Sequence, residues 1–240
     1  NYKKAKKLKE WSSDKTMKIV YPLKSLNKLH DYRENDFFME PEGRAKQYIL
    51  AKHLSNVDSC QLVFIKTSDS LELVNQNKFL EVYYNINAKT KLIEANATNY
   101  KFFTNKKNIK TLYVLLSEDE EIVKDVLSFA SEKEDVIIYG KEQWIKKIKY
   151  TSSIENITPF RYSVGTHLDY NNPSTKSIHR RYRSRFNSDL TKMSGIGYDA
   201  TLNIVLHLLY DTSLQKGLVH NFRFDFEGSP LNHNMGGYIL

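Results

Sequence analysis

The sequence predicts an α/β fold built around a parallel sheet. Between residues 38 and 150, short apolar runs alternate with segments of helical periodicity. The runs, such as Gln61-Leu62-Val63-Phe64-Ile65, are continuously apolar rather than alternating, which is how strands covered on both faces read. After residue 150 the rhythm changes to long helices, one basic and one apolar.

The elements follow in order. Residues 1–11 read as the Lys-rich end of an exposed helix, with Leu8 and Trp11 as apolar points. Met17 to Pro22 is a short strand stopped by proline, and residues 23–36 are polar and irregular. Pro41 suits the first turn of a helix that runs to Leu54. Gln61 to Ile65 is a buried strand, and Ser68 or Asp69 caps the helix that follows, whose apolar face is Leu71, Val74, Phe79, Val82 and Tyr83. Lys91 to Glu94 is a weaker strand and Thr111 to Leu116 a strong one. Ser117-Glu118-Asp119-Glu120 is a capping-box pattern that places Ser117 at the start of a helix with Ile122, Val123, Val126, Leu127 and Ala130 at helical spacing. Val136 to Tyr139 is a strand closed by Gly140, and Glu142 to Ile148 a short helix.

Beyond residue 150, Phe160 to Val164 reads as a strand, Pro173 to Phe186 as a basic helix and Gly197 to Tyr210 as an apolar one. Phe222 to Phe226 alternates cleanly, as a half-exposed or edge strand does. Gly228 to Leu240 is a turn region ending in Tyr238-Ile239-Leu240.

Composition narrows the function classes. At 240 residues, with 40% hydrophobic and 12% aromatic residues, the chain is globular rather than disordered. No apolar run approaches the roughly 20 residues that cross a bilayer, and no cleavable signal peptide is legible at the start. Cys60, the one cysteine, excludes an internal disulfide, zinc ribbons and CxxC redox chemistry. The net charge of +8 is unevenly spread: residues 1–37 carry ten Lys/Arg against five Asp/Glu, residues 38–155 seventeen of each, and residues 156–240 nine against six. A basic half beside a neutral one points to an anionic neighbour: nucleic acid, anionic lipid or an acidic wall polymer.

Three segments carry a family resemblance. Tyr182 and Phe186 in Arg-Arg-Tyr-Arg-Ser-Arg-Phe, followed by Gly197-Tyr198-Asp199-Ala200 opening a long apolar helix, resemble a Y-x-x-x-F…GYDA segment of the type I periplasmic binding proteins, the amino-acid-binding proteins of ABC transporters. Ile19-Val20-Tyr21-Pro22-Leu23-Lys24-Ser25 is similar to that family's strand ending in Pro-x-x-Ser, just before the chain crosses to its second lobe. Tyr139-Gly140 followed by Trp144 is similar to a strand–Gly–x–x–x–Trp segment of some members. In style the chain most resembles relatives in Bacteroidota-type envelope proteins, which can carry LysM modules; no such module is visible here.

The resemblance implies two lobes with parallel sheets flanked by helices: residues 1–37 plus 156–216 as a basic lobe one, and 38–155 plus 217–240 as a neutral lobe two. The family's first lobe begins with βα units that these 240 residues lack, so lobe one is incomplete in this chain, the units lying upstream or being absent. It implies a periplasmic or outer-membrane-associated protein, not an enzyme, without a cofactor. Its partners would be an amino-acid-like small ligand captured by lobe closure, or envelope proteins and peptidoglycan in a scaffold role.

Candidate site residues follow the strand ends. Glu142, just past Gly140, sits where open α/β sheets place ligand groups, and it resembles the acid that holds an α-amino group in amino-acid-binding members; the alternative is a solvated first-turn acid. Ser68, Asp69, Ser117 and Glu118 also follow strands and line a cleft or serve as plain N-caps. Arg180, Arg181, Arg183 and Arg185 fan around a helix whose Tyr182 and Phe186 share one face, as a contact for an anionic partner or a solvated surface. Gly197, Tyr198 and Asp199 read as structural, with Asp199 in a first helical turn where its charge suits the dipole. The seven histidines show no H-x-x-x-H or H-E-x-x-H spacing, and no nucleophile elbow or P-loop occurs, which disfavours a metal site and an enzyme. A nucleic-acid-binding protein using the basic ends is the alternative function; the neutral stretch 38–155 argues against a continuous basic groove.

Overall fold

A computed structural model of the chain describes residues 19–21, 36–39, 43–86, 88–103, 109–145, 160–210, 216–222 and 236–240. The expected helix at 1–11, the strand beyond Phe222 and most of the 142–148 helix lie outside them.

The described elements are β1 (Ile19–Tyr21), β2 (Asp36–Phe38), α1 (Gly43–Ser55), β3 (Cys60–Lys66), α2 (Ser70–Asn85), β4 (Leu92–Asn96), a 3-10 turn (Tyr100–Phe103), β5 (Lys110–Leu115), α3 (Glu120–Ser131), β6 (Val136–Gly140), β7 (Phe160–Val164), α4 (Pro173–Phe186), α5 (Lys192–Tyr210) and β8 (Tyr238–Ile239). The chain divides into two compact units: residues 1–46 with 165–238, and residues 47–164 with 239–240. These boundaries differ from those the resemblance implied. Phe160 to Val164 goes with the second unit because β7 pairs with β6, and residues 217–238 go with the first. Unit 1 holds 20 Lys/Arg against 13 Asp/Glu, and unit 2 holds 16 against 15, so charges of +7 and +1 restate the basic and neutral halves.

Unit 2 is a three-layer α/β body. Its sheet runs in the order β4-β3-β5-β6-β7-β8. The pairs from β4 through β7 are all parallel, as the uninterrupted apolar runs require. At its edge Tyr162 and Leu240 exchange both backbone hydrogen bonds at 2.9 Å, the pattern of an antiparallel neighbour. Alternate residues of each strand enter opposite cores. Leu62, Phe64, Leu112 and Val114 pack with Leu50 and Leu54 of α1 and Phe79 and Tyr83 of α2. Val63, Ile65, Tyr113 and Leu115 pack with Val123, Val126 and Leu127 of α3.

Unit 1 contains the parallel pair β1–β2 and the helices α4 and α5. β2 begins at the end of the stretch 23–36 that the sequence marks as irregular and is not expected from it; three residues are too few to show a period. Asn172 caps α4 by accepting the Ser174 N–H at 2.9 Å, Pro173 takes the first turn, and Asn187 ends the helix in the left-handed conformation at φ 48°. Against expectation, α5 begins at Lys192 rather than Gly197. Thr191 starts it, its hydroxyl accepting the Ser194 N–H at 3.2 Å, so Gly197 is a helix-interior residue with open space where a side chain would be. Small cores seat the helices: Leu168, Leu190, Ile196 and Val219 in one, Met39, Ala200 and Phe222 in another.

Candidate functional site

The carboxyl ends of β3, β5 and β6, three adjacent strands of unit 2, bring together every strand-end residue that the sequence singles out. Beyond β3 the chain passes through Thr67, Ser68 and Asp69 into α2; the N–H groups of Glu72 and Leu73 donate to the Asp69 carbonyl at 3.1 and 3.0 Å, opening the helix there. Beyond β5 it passes through Ser117 and Glu118 into α3. Beyond β6 it passes Lys141 and Glu142 to Trp144.

The floor of this edge is a buried carboxylate that the sequence did not reveal. Glu72, 5% exposed, accepts from the Thr67 hydroxyl at 2.7 Å, the Ser117 hydroxyl at 3.0 Å and the Glu118 N–H. Gln76 locks Thr67 from behind: its Oε1 accepts the Thr67 N–H at 3.2 Å and its Nε2 donates to the Thr67 hydroxyl at 2.6 Å. Trp144 Nε1 donates to the Ser117 carbonyl at 2.8 Å. Gly140 is fixed by the same ring, because a Cβ there would overlap it. A single acid in the first turn of a helix carries no sequence signal of burial, so only the fold exposes this role.

This network corrects two readings. Ser117 is fully buried and its hydroxyl is engaged by Glu72, so it supports the edge from within rather than facing a cleft. It is also not the N-cap of α3. Asp119 is, its Oδ1 accepting from the N–H groups of Glu121 at 2.9 Å and Ile122 at 3.3 Å, while Ser117 Oγ accepts the Asp119 N–H at 3.0 Å. Of the remaining candidates, Ser68, Asp69 and Glu118 are exposed and Glu142 is half-buried. Glu118 pairs with the Lys141 ammonium.

Farther along the same sheet, Tyr139 lies between Arg161 and His53. Arg161 Nη1 donates to its phenol oxygen at 3.2 Å, and the phenol meets His53 Nε2 at 3.0 Å. Burial first, and then the Arg161 charge, hold the His53 pKa below its ordinary value.

In unit 1 the four arginines all lie on exposed positions of α4. Arg183 approaches Asp189 at 3.6 Å, and the Arg185 guanidinium lies 5.9 Å from the Phe186 ring centre. Tyr182 and Phe186 do share a face, with ring centroids 4.7 Å apart, but only Tyr182 packs into the core; Phe186 is 58% exposed. Asp199 is not a first-turn acid. It lies well inside α5, fully buried, and accepts from the N–H groups of Leu218, Val219 and His220 and from His220 Nδ1, the last at 2.9 Å. Gly217 is tied to this acid, since a Cβ there would strike its carboxylate. His220, also fully buried, was one of the scattered histidines of the sequence; its one available signal is an acid, Asp199, alone in an apolar helix.

Among the described residues no group of three or more His, Cys, Asp or Glu side chains could hold a metal ion, and no helix is long and apolar enough to cross a membrane.

This architecture is that of the type I periplasmic binding proteins. A putative branched-chain amino acid ABC transporter protein from Rhodospirillum rubrum superposes with a TM-score of 0.57 at 12% identity, over 88% of this chain and 67% of that one. An ABC transporter substrate-binding protein from Desulfitobacterium hafniense, in complex with Leu, gives 0.51 at 15% identity over 88% of this chain and 65% of its own. A second structure of such a protein from that organism gives 0.52 at 14% identity, over 86% and 65%. The chain thus spans about two thirds of the length of these three structures. No family model matches the sequence, and no curated protein does.

Proposed function

We propose that the chain is a non-enzymatic binding protein of the bacterial envelope and that the carboxyl edge of unit 2 is where it recognises a small ligand bearing an ammonium group. One observation carries this reading: three adjacent parallel strands deliver Asp69, Glu118 and Glu142 to one edge, over a floor held rigid by Glu72. Carboxylates at the ends of parallel strands are placed as open α/β sheets place ligand groups. Lys141 pairs with Glu118 at this edge, and carboxylates gathered there suit an α-amino group. The fold likeness supports the class, and the Leu complex of the Desulfitobacterium hafniense protein supplies the first probe.

Titration calorimetry with L-leucine and a panel of other amino acids tests it. The expected result is saturable binding of at least one of them, weakened about tenfold or more by Glu142→Gln, the cost of one charge-assisted hydrogen bond. Absence of binding across the panel, or unaltered binding in Glu142→Gln and Asp69→Asn, overturns it.

A scaffold role is favoured by a separate observation. Arg180 and Arg181 are exposed on α4, in a unit of charge +7. An anionic wall polymer such as peptidoglycan fits that surface. Co-sedimentation with purified peptidoglycan, lost in the Arg180→Ala, Arg181→Ala double variant, supports this reading; salt-sensitive binding to any DNA duplex instead supports the nucleic-acid alternative.

A further inference from the structure

Helix α5 is apolar well beyond the face it buries. Ile196, Asp199, Ala200 and Asn203 follow one another at helical spacing and are all shielded from solvent. On one flank, Tyr198 and Leu202 border a cavity of about 570 Å³ that Thr175 and Lys216 also line. A second face carries Gly197, Thr201, Ile204, Val205 and Leu208 at i, i+4, i+7, i+8 and i+11, with Leu209 beside them. All six are exposed, Leu208 to 74% and Leu209 to 66%. A helix that is apolar nearly all round is ordinarily covered on both faces, and an open apolar patch of this kind marks an interaction surface.

Two features of the open face select its occupant. Between Met193 and Tyr210 the one charged side chain is Asp199, which is fully buried. The face therefore offers no charge to a polyanion or a lipid headgroup, although unit 1 as a whole carries +7. Its small and large residues are also segregated. Gly197, with open space where a side chain would be, and Thr201 occupy the amino half; Ile204 and Leu208 occupy the carboxyl half. Thr201 turns its hydroxyl back to the Gly197 carbonyl at 2.9 Å and needs no outside acceptor. Two copies of α5 laid antiparallel about a two-fold axis set Leu208 of each over Gly197 of the other, and Ile204 over Thr201. The six residues expose roughly 500 Å² per copy, so the pair buries roughly 1,000 Å², which is what a weak but specific interface needs.

We propose that the open face of α5 is a self-association surface, through which the chain forms a two-fold homodimer with α5 against α5 in antiparallel register. Its Kd is on the order of 10 μM, as a small apolar interface gives. Salt strengthens the pair, because two units of charge +7 repel each other and ions screen that repulsion. Capture of a polyanion or an anionic bilayer responds to salt in the opposite sense.

Sedimentation velocity of the whole 240-residue chain, at concentrations on either side of that Kd and in low and high NaCl, tests the proposal. The expected result is a monomer–dimer equilibrium that tightens a few-fold in high salt. Leu208→Glu places a charge on each side of the pair and weakens it about tenfold or more. Gly197→Leu fills the notch that Leu208 enters and weakens the dimer by a similar factor. The same substitution raises the melting midpoint of the monomer, because glycine is unfavourable inside a helix, so a loss of dimer cannot be a loss of fold. Should Leu208→Glu fail to fold, Gly197→Leu decides. The proposal is overturned if the chain stays monomeric throughout, if both variants dimerise as the wild type does, or if association weakens with salt. Phosphatidylglycerol vesicles that sediment a monomeric wild type but not Leu208→Glu would assign the face to lipid and end the inference. Neither variant alters unit 2, so amino-acid binding there stands or falls separately.

Discussion

Glu72 and Asp199 are acids whose whole role is to gather donors. Removing Glu72 leaves the Thr67 hydroxyl, the Ser117 hydroxyl and the Glu118 N–H without their acceptor, and each unmet buried donor costs about 1–3 kcal/mol. Glu72→Ala is therefore expected to destabilise unit 2 by about 3 kcal/mol or more in denaturant unfolding, and a loss below about 1 kcal/mol would show that the network is dispensable. Asp199→Ala strips the acceptor from three backbone N–H groups and His220 Nδ1 in a fully buried place, with an expected cost of about 3–5 kcal/mol. His53 sets a pH dependence. Its pKa is lowered in the fold from 6.5, so the unfolded chain binds its proton more tightly. Its contribution is therefore intact above 6.5 and declines as the pH falls from there toward the lowered folded value. Melting curves between pH 7.5 and 5 should show a falling midpoint that His53→Gln flattens; an equal fall in the variant removes His53 as the cause.

At the scale of elements, the caps decide where helices begin. Asp119 and Asn172 each accept a first-turn N–H, so Asp119→Ala and Asn172→Ala are expected to cost about 1 kcal/mol each, whereas Ser117→Ala costs more because Ser117 is buried on Glu72. Equal effects of Ser117→Ala and Asp119→Ala would contradict the assigned cap. Most element positions were legible from periodicity, since Leu62 to Ile65, Tyr113 to Leu115 and Val123 to Ala130 carry unbroken apolar or 3.6-residue patterns. The start of α5 was not legible, because Gly197 reads as punctuation and Thr191 is three residues from a Ser rather than a Glu or Gln.

For the molecule as a whole, two units with separate cores and charges of +7 and +1 form one chain. Multi-unit chains need not unfold in one step. Scanning calorimetry is expected to show two components, with Glu72→Ala lowering the midpoint of one and Asp199→Ala that of the other. A single transition shifted alike by both would mean that the units unfold together.

The sequence by itself determined the α/β class, the parallel character of the main sheet, the strand ends that hold Ser68, Asp69, Glu118 and Glu142, and the split between a basic and a neutral half. These depend on period, composition and local chain order, which neighbouring residues encode directly. The tertiary structure alone decided that Ser117 faces inward, that Asp199 anchors a loop about 20 residues further on, and that Thr175 and Lys216, 41 positions apart, border one cavity. The physical reason is the same in each case: hydrogen-bond satisfaction in a buried place is settled between segments distant in the chain, and no local pattern records which donor will find which acceptor.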